Sequence, residues 1–227
     1  MCFSAVASFS TGGLTGVIGV VALSRVTQRR ELPLAAMPLM FGLQQAIEGS
    51  LWLVLPTAPR GPLEGMLALM FMLLAQVVWP VYAPLAALSL EPERGRRRLM
   101  LACLAVGAAI SGFLLWRLLS GPHEAAIVNR CIVYRTRGGQ PLLIGALYLC
   151  ATSLPLILSS RRTIVALGAI TLAGCVIAYI FYWEAFQSVW CFFAGVASAV
   201  ILGHFVWIRP ARLRAALAAA CALRPGV

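Results

Sequence analysis

The chain has 227 residues, 61% of them hydrophobic and only 11% charged, with a mean hydropathy of +0.91. A water-soluble core cannot absorb that much apolar surface, so the composition is that of a membrane protein. The net charge of +11 comes from 18 arginines against seven glutamates, with no lysine or aspartate, and the arginines cluster between apolar runs, a pattern of membrane topology rather than of nucleic-acid binding.

In chain order, seven apolar runs reach the roughly 20 residues that a membrane span requires. They cover residues 4–24, 33–55, 64–89, 99–119, 141–159, 163–183 and 187–208. Backbone polar groups in lipid must be satisfied within their own element, so each run reads as a helix. The predicted fold class is therefore all-α, an integral membrane bundle of seven transmembrane helices. No positive segment precedes the first run, which is read as a retained helix rather than a signal peptide. Pro80 and Pro84, in VVWPVYAPL, bend the third run and free backbone carbonyls that either face a cavity or shape packing. Between the fourth and fifth runs, AAIVNRCIVYR is rich in β-branched residues and predicts an extended segment or hairpin over one mouth of the bundle. Residues 1–208 thus form the membrane domain. Residues 209–227 form a tail that is either a short interfacial helix or irregular.

Thirteen arginines fall on one side of this layout, in the clusters at 25–30, 94–98, 161–162 and 209–224. The other side holds five, Arg60, Arg117, Arg130, Arg135 and Arg137. The positive-inside rule then predicts an N-terminus outside and a C-terminus in the cytoplasm.

Three polar residues interrupt the second run, in MFGLQQAIEGSLWLVL. At 1.5 Å per residue, Gln44 lies about 16 Å from the cytoplasmic end and Glu48 about 22 Å, one turn apart on one face. Gln76 on the third run reaches a similar depth, so a Gln44 to Gln76 hydrogen bond between helices would account for both amides without any function. Glu48 is harder to explain as glue. An ionised carboxylate at that depth costs at least about 2.5 to 3.5 kcal/mol, whereas a neutral glutamine would bridge helices without that penalty. Glu184 lies near the outer boundary among Tyr179, Tyr182, Trp183 and Trp190, which form either an interfacial aromatic belt or the lining of a pocket. Gln44, Glu48, Gln76 and Glu184 are the candidate ligand-binding residues.

The seven cysteines show no CxxC and no regular spacing, so they make neither a disulfide framework nor a zinc ribbon. Cys2 and Cys191 begin the first and seventh helices from the same outer side, with Cys131 in the loop above. Helices 1 and 7 commonly meet when a seven-helix bundle closes, which makes Cys2 and Cys191 a candidate disulfide or metal pair. Other cofactors are excluded by inventory. Without lysine there is no retinal Schiff base, and His123 and His204 lie roughly a membrane apart, so no bis-histidine haem forms.

The opening MCFSAVASF, the stretch LPLMFGLQQAIEGSLWL and the stretch YWEAFQSVWCFFAG together resemble an uncharacterised family of bacterial multi-pass membrane proteins that begin Met-Cys-Phe-Ser-Ala. The resemblance implies an integral protein of the bacterial inner membrane and transfers no catalytic residues. The reading that follows is a non-enzymatic protein whose outward-facing polar pocket binds a small ligand or metal ion, as a sensor or transporter in the lipid bilayer. Two alternatives stand beside it: a membrane oxidoreductase using outer-side thiols, and a purely structural membrane subunit.

Overall fold

The computed structural model describes residues 4–121, 123–136, 142–181 and 186–208, with Pro210. Among these the chain is mostly helical, in seven rods. Helix α1 covers Ala5–Ser24, α2 Leu32–Val54, α3 Pro62–Leu90, α4 Arg94–Ser120, α5 Leu142–Ile157, α6 Arg162–Phe181 and α7 Phe186–Gly203, prolonged by a π-helical turn His204–Ile208. Strands β1, His123–Val128, and β2, Cys131–Thr136, form one antiparallel hairpin between α4 and α5. The all-α expectation holds apart from this hairpin, which falls where the β-branched loop predicted one. Helices α1, α3, α4 and α6 are long and apolar enough to cross a membrane. Helix α2 carries the polar Gln44, Gln45 and Glu48, while the apolar stretches Leu143–Ile157 in α5 and Gly195–Ile208 in α7 are shorter.

Each helix packs on its neighbours in sequence, and α1 also packs on α7, which closes the bundle. The α1–α2 pair is the most extensive, because small residues let the backbones meet. Ser8, Gly12, Thr15, Gly19 and Ala22 make the buried stripe of α1. A Cβ on Gly12 would lie 3.2 Å from the Gln45 Cβ, and one on Gly19 only 2.7 Å from the Leu39 backbone nitrogen. The same contacts fix the antiparallel register, with Phe9 lying against Gly49.

Helix α3 changes its winding in the middle. A π-helical segment, Leu73–Val78, precedes Pro80, whose missing N–H leaves the Gln76 carbonyl without its helical donor. A π turn inserts an extra residue and frees further carbonyls. Here these are taken up by neighbours: the Tyr148 hydroxyl donates to the Ala75 carbonyl at 2.6 Å, and Ser111 Oγ donates to that of Val77 at 2.7 Å. Both donors come from helices packed on α3, so the bend serves packing at these two carbonyls rather than opening them to a cavity.

The hairpin turns through Asn129 and Arg130, with φ of 50° and 61°. Positive φ at both central residues gives the twist a two-residue hairpin needs. Arginine carries a steric cost there that glycine would not. Three contacts hold the hairpin on the bundle. Glu64 Oε1 accepts from the Ala125 backbone N–H at 2.8 Å, Tyr134 stacks on Phe71 with centroids 4.2 Å apart, and buried Cys131 packs with Ala178 and Val189.

The opposite, arginine-rich end is held by hydrogen bonds between the α3–α4 and α5–α6 junctions. Glu91 is buried, and its carboxylate accepts from Ser159 Oγ at 3.0 Å and from the backbone N–H of Ser160 at 2.8 Å and Glu93 at 3.2 Å. Arg96 donates to the Leu158 carbonyl at 2.8 Å, and Arg97 to that of Leu88 at 2.9 Å. Helix α4 starts at Arg94, earlier than the apolar run, because arginine is a good helix former and its charged head stays in water.

Candidate functional site

Helix α2 puts its polar residues into the bundle. Gln44, Gln45 and Glu48 are all buried, and Glu48 has no exposed surface at all. Gln45 Nε2 donates to Glu48 Oε2 at 3.3 Å, one helical turn along. Gln44, one turn before Glu48, reaches α3: its Oε1 accepts from Trp79 Nε1 at 2.9 Å, and Trp79 stacks on Phe41 at 4.2 Å.

The expected Gln44 to Gln76 bond is therefore corrected. Among the described residues Gln44 takes its α3 partner from Trp79, while Gln76 is buried within the π-helical segment. The extra residue of the π winding rotates the face that follows it, bringing Trp79 rather than Gln76 opposite α2. The structure thus brings Gln44 and α3 together, but through a residue the amide pairing did not include.

Cys131 is buried where the hairpin meets α6 and α7. Burial raises its thiol above the ordinary value. Phe186 and Trp190 of α7 pack against the same cysteine cluster.

Sequence reasoning missed two further members. Ser8 Oγ, on a side chain 1% exposed, and Trp52 Nε1 are buried without a hydrogen-bond partner among the described residues. Trp52 stands one turn beyond Glu48 on the same face of α2. Ser8 stands one turn beyond Gly12, hence level with Glu48 in the α1–α2 register fixed by Gly12–Gln45 and Phe9–Gly49. The i, i+4 relation of Glu48 to Trp52 was readable, but the antiparallel partner of α2 was not. Glu64 was missed too, since an acid in a first helical turn reads as an ordinary response to the helix dipole.

Glu184, Cys2 and the tail beyond Pro210 lie outside the described residues. Cys191 is described only as part of the α7 backbone, so the Cys2–Cys191 pair rests on its helices, α1 and α7, which do pack together. Cys103, Cys131, Cys150 and Cys175 are free thiols. Among the described residues no three His, Cys, Asp or Glu side chains gather as a metal site. His204, the other histidine weighed, is a buried packing residue whose Nδ1 lies 3.2 Å from Thr163 Oγ1.

Fold and site together define a bundle of largely apolar helices with a carboxylate-centred polar cluster buried under a β-hairpin. The chain belongs to a family of unknown function (DUF6629), whose model matches residues 1–219. No curated protein and no solved structure matches it.

Proposed function

We propose that this chain is a seven-span protein of the bacterial inner membrane, with its N-terminus outside and its C-terminus in the cytoplasm. Its outer, hairpin end binds a small ligand or metal ion, as a sensor or transporter. Four helices of sufficient length and apolarity support the membrane reading, and the closing α1–α7 contact favours counting α2, α5 and α7 as further spans. The arginine bias supports the orientation. Reporter fusions after Arg30, Arg98, Arg162 and Val227 are expected to read cytoplasmic, and a fusion near Cys131 external. The reverse pattern would overturn the orientation.

The observation that carries the binding reading is Glu48. A carboxylate wholly buried among apolar helices, with Gln45 donating to it, is rare in a membrane bundle and marks a functional position. Burial raises the Cys131 thiol, which makes this one cysteine less ready to form the thiolate that thiol chemistry needs. Thermal unfolding of detergent-purified protein against a panel of divalent metal chlorides and small polar ligands tests the reading. At least one addition is expected to raise the midpoint of the native protein and leave Glu48→Gln unmoved. Identical responses across the panel would remove Glu48 from the site.

A further inference from the structure

We propose that the arginine-rich end binds the headgroups of anionic phospholipids, through Arg94 and Arg98 of α4 together with Arg162 of α6. The inference rests on the membrane reading alone and is independent of what the hairpin end binds. It starts from an inventory of charge. The chain places three glutamates at this end, Glu31, Glu91 and Glu93, and each is already engaged. The buried Glu31 carboxylate accepts from the backbone N–H of Thr27 at 3.1 Å and of Gln28 at 3.2 Å. Glu91 takes its donors from Ser159, Ser160 and Glu93, and Glu93 pairs with Arg96 at 2.6 Å. Arg94, Arg98 and Arg162 are exposed, and among the described residues none of them meets a carboxylate.

The neighbouring arginines serve the fold instead. Arg96 and Arg97 donate to the Leu158 and Leu88 carbonyls, and Arg161 Nε donates to that of Leu90 at 3.3 Å. These three brace the junction between the α3–α4 and α5–α6 connections, and Arg94, Arg98 and Arg162 stand on the junction they brace. An exposed guanidinium without a protein anion matches a phosphate, which accepts two parallel N–H bonds from it.

Depth decides which phosphate. Arg94 and Arg98 lie one turn apart on α4, and the exposed Leu101 and Ala102 follow on the same face within a further turn. Helix α4 is long and apolar enough to cross a membrane, so the surface that meets acyl chains begins about 4.5 to 6 Å along the axis from Arg98. A soluble anion or an acidic protein would meet the charge alone. A phospholipid meets the charge and the apolar face together, with the aliphatic stems of the arginines covering the boundary. Basic clusters directly beside a span favour anionic headgroups for this reason.

The test titrates the detergent-purified full chain with short-chain phosphatidylglycerol, short-chain phosphatidylcholine, inorganic phosphate and a polyglutamate peptide. Thermal unfolding and the lipid retained in native mass spectrometry are the readouts. Phosphatidylglycerol is expected to raise the midpoint and to be retained in preference to phosphatidylcholine. Replacing both Arg94→Gln and Arg98→Gln is expected to weaken phosphatidylglycerol about tenfold or more, at roughly fivefold for each cation. Glutamine is also a good helix former, and Arg96, Arg97 and Arg161 still brace the junction in that variant. Arg162→Gln, with an expected loss of about fivefold, keeps the proposal open to refutation if the α4 variant is not recovered. Arg130→Gln with Arg135→Gln removes the same charge from the hairpin and is expected to leave the lipid response unchanged.

Equal responses to the two phospholipids would overturn the proposal, as would undiminished phosphatidylglycerol binding by the variants at the arginine-rich end. An equal loss in the hairpin variant would also overturn it, since only overall charge would then matter. A response to phosphate or polyglutamate as large as that to phosphatidylglycerol would assign a soluble anion or an acidic protein and remove the lipid. Alkaline carbonate extraction separates this inference from the membrane reading. A chain released from vesicles by carbonate would remove both, whereas a retained chain indifferent to phosphatidylglycerol would remove the lipid site alone.

Discussion

Gly107→Val is expected to be the most damaging single substitution in the described helices, lowering stability by about 2 to 4 kcal/mol or preventing recovery of folded protein. A side chain there would collide with the Pro80 carbonyl, at the point where α4 crosses the bend of α3. Helix α4 cannot move aside without cost, since Ser111, one turn along, donates to the Val77 carbonyl at 2.7 Å. Losing that bond would strand a carbonyl freed by the π winding in an apolar setting. Gly112→Val is the control, because nothing lies within 4 Å of a Cβ at that position. Thermal unfolding in detergent and the yield of monodisperse protein should separate the two variants widely. Equal midpoints would show that the α3–α4 crossing tolerates displacement.

The same crossing shows which parts of the fold can be read from the chain. Helix positions were legible because the length and apolarity of each run are local properties, and each observed helix overlaps its run. The hairpin was legible for the same reason, from β-branched residues on either side of Asn129 and Arg130. The prolines announced a bend in α3. They did not announce the π winding, which depends on whether distant donors such as Tyr148 and Ser111 are available to take the freed carbonyls.

The site follows that division. Glu48 stood out alone because a carboxylate is conspicuous among leucines. Its surroundings could not be read, because which residues of α1 lie level with it depends on the α1–α2 register. Gln44 and Gln76 are the instructive error. Depth along straight helices paired them, and the extra residue of the π winding in α3 left Gln44 to accept from Trp79 instead.

Glu91→Gln is expected to loosen the arginine-rich end, costing about 1.5 to 3 kcal/mol at neutral pH. The carboxylate of Glu91 receives a hydroxyl and two backbone N–H groups. A glutamine keeps the shape but turns one acceptor into a donor, which would face donors already in place. Burial by itself would raise the Glu91 carboxyl; the donors from Ser160, Glu93 and Ser159 outweigh it and hold the group below its ordinary value. A carboxyl lowered in the folded state contributes stability that is fully present above its unfolded pKa, about 4.3, and is lost as pH falls through the lower folded value. The advantage of the native protein over Glu91→Gln should therefore be constant near neutrality and shrink below about pH 4. Thermal unfolding of both proteins from pH 7 down to pH 3 measures it. A gap that stays the same at every pH would mean that the junction between the α3–α4 and α5–α6 loops depends on the shape of Glu91 and not on its charge.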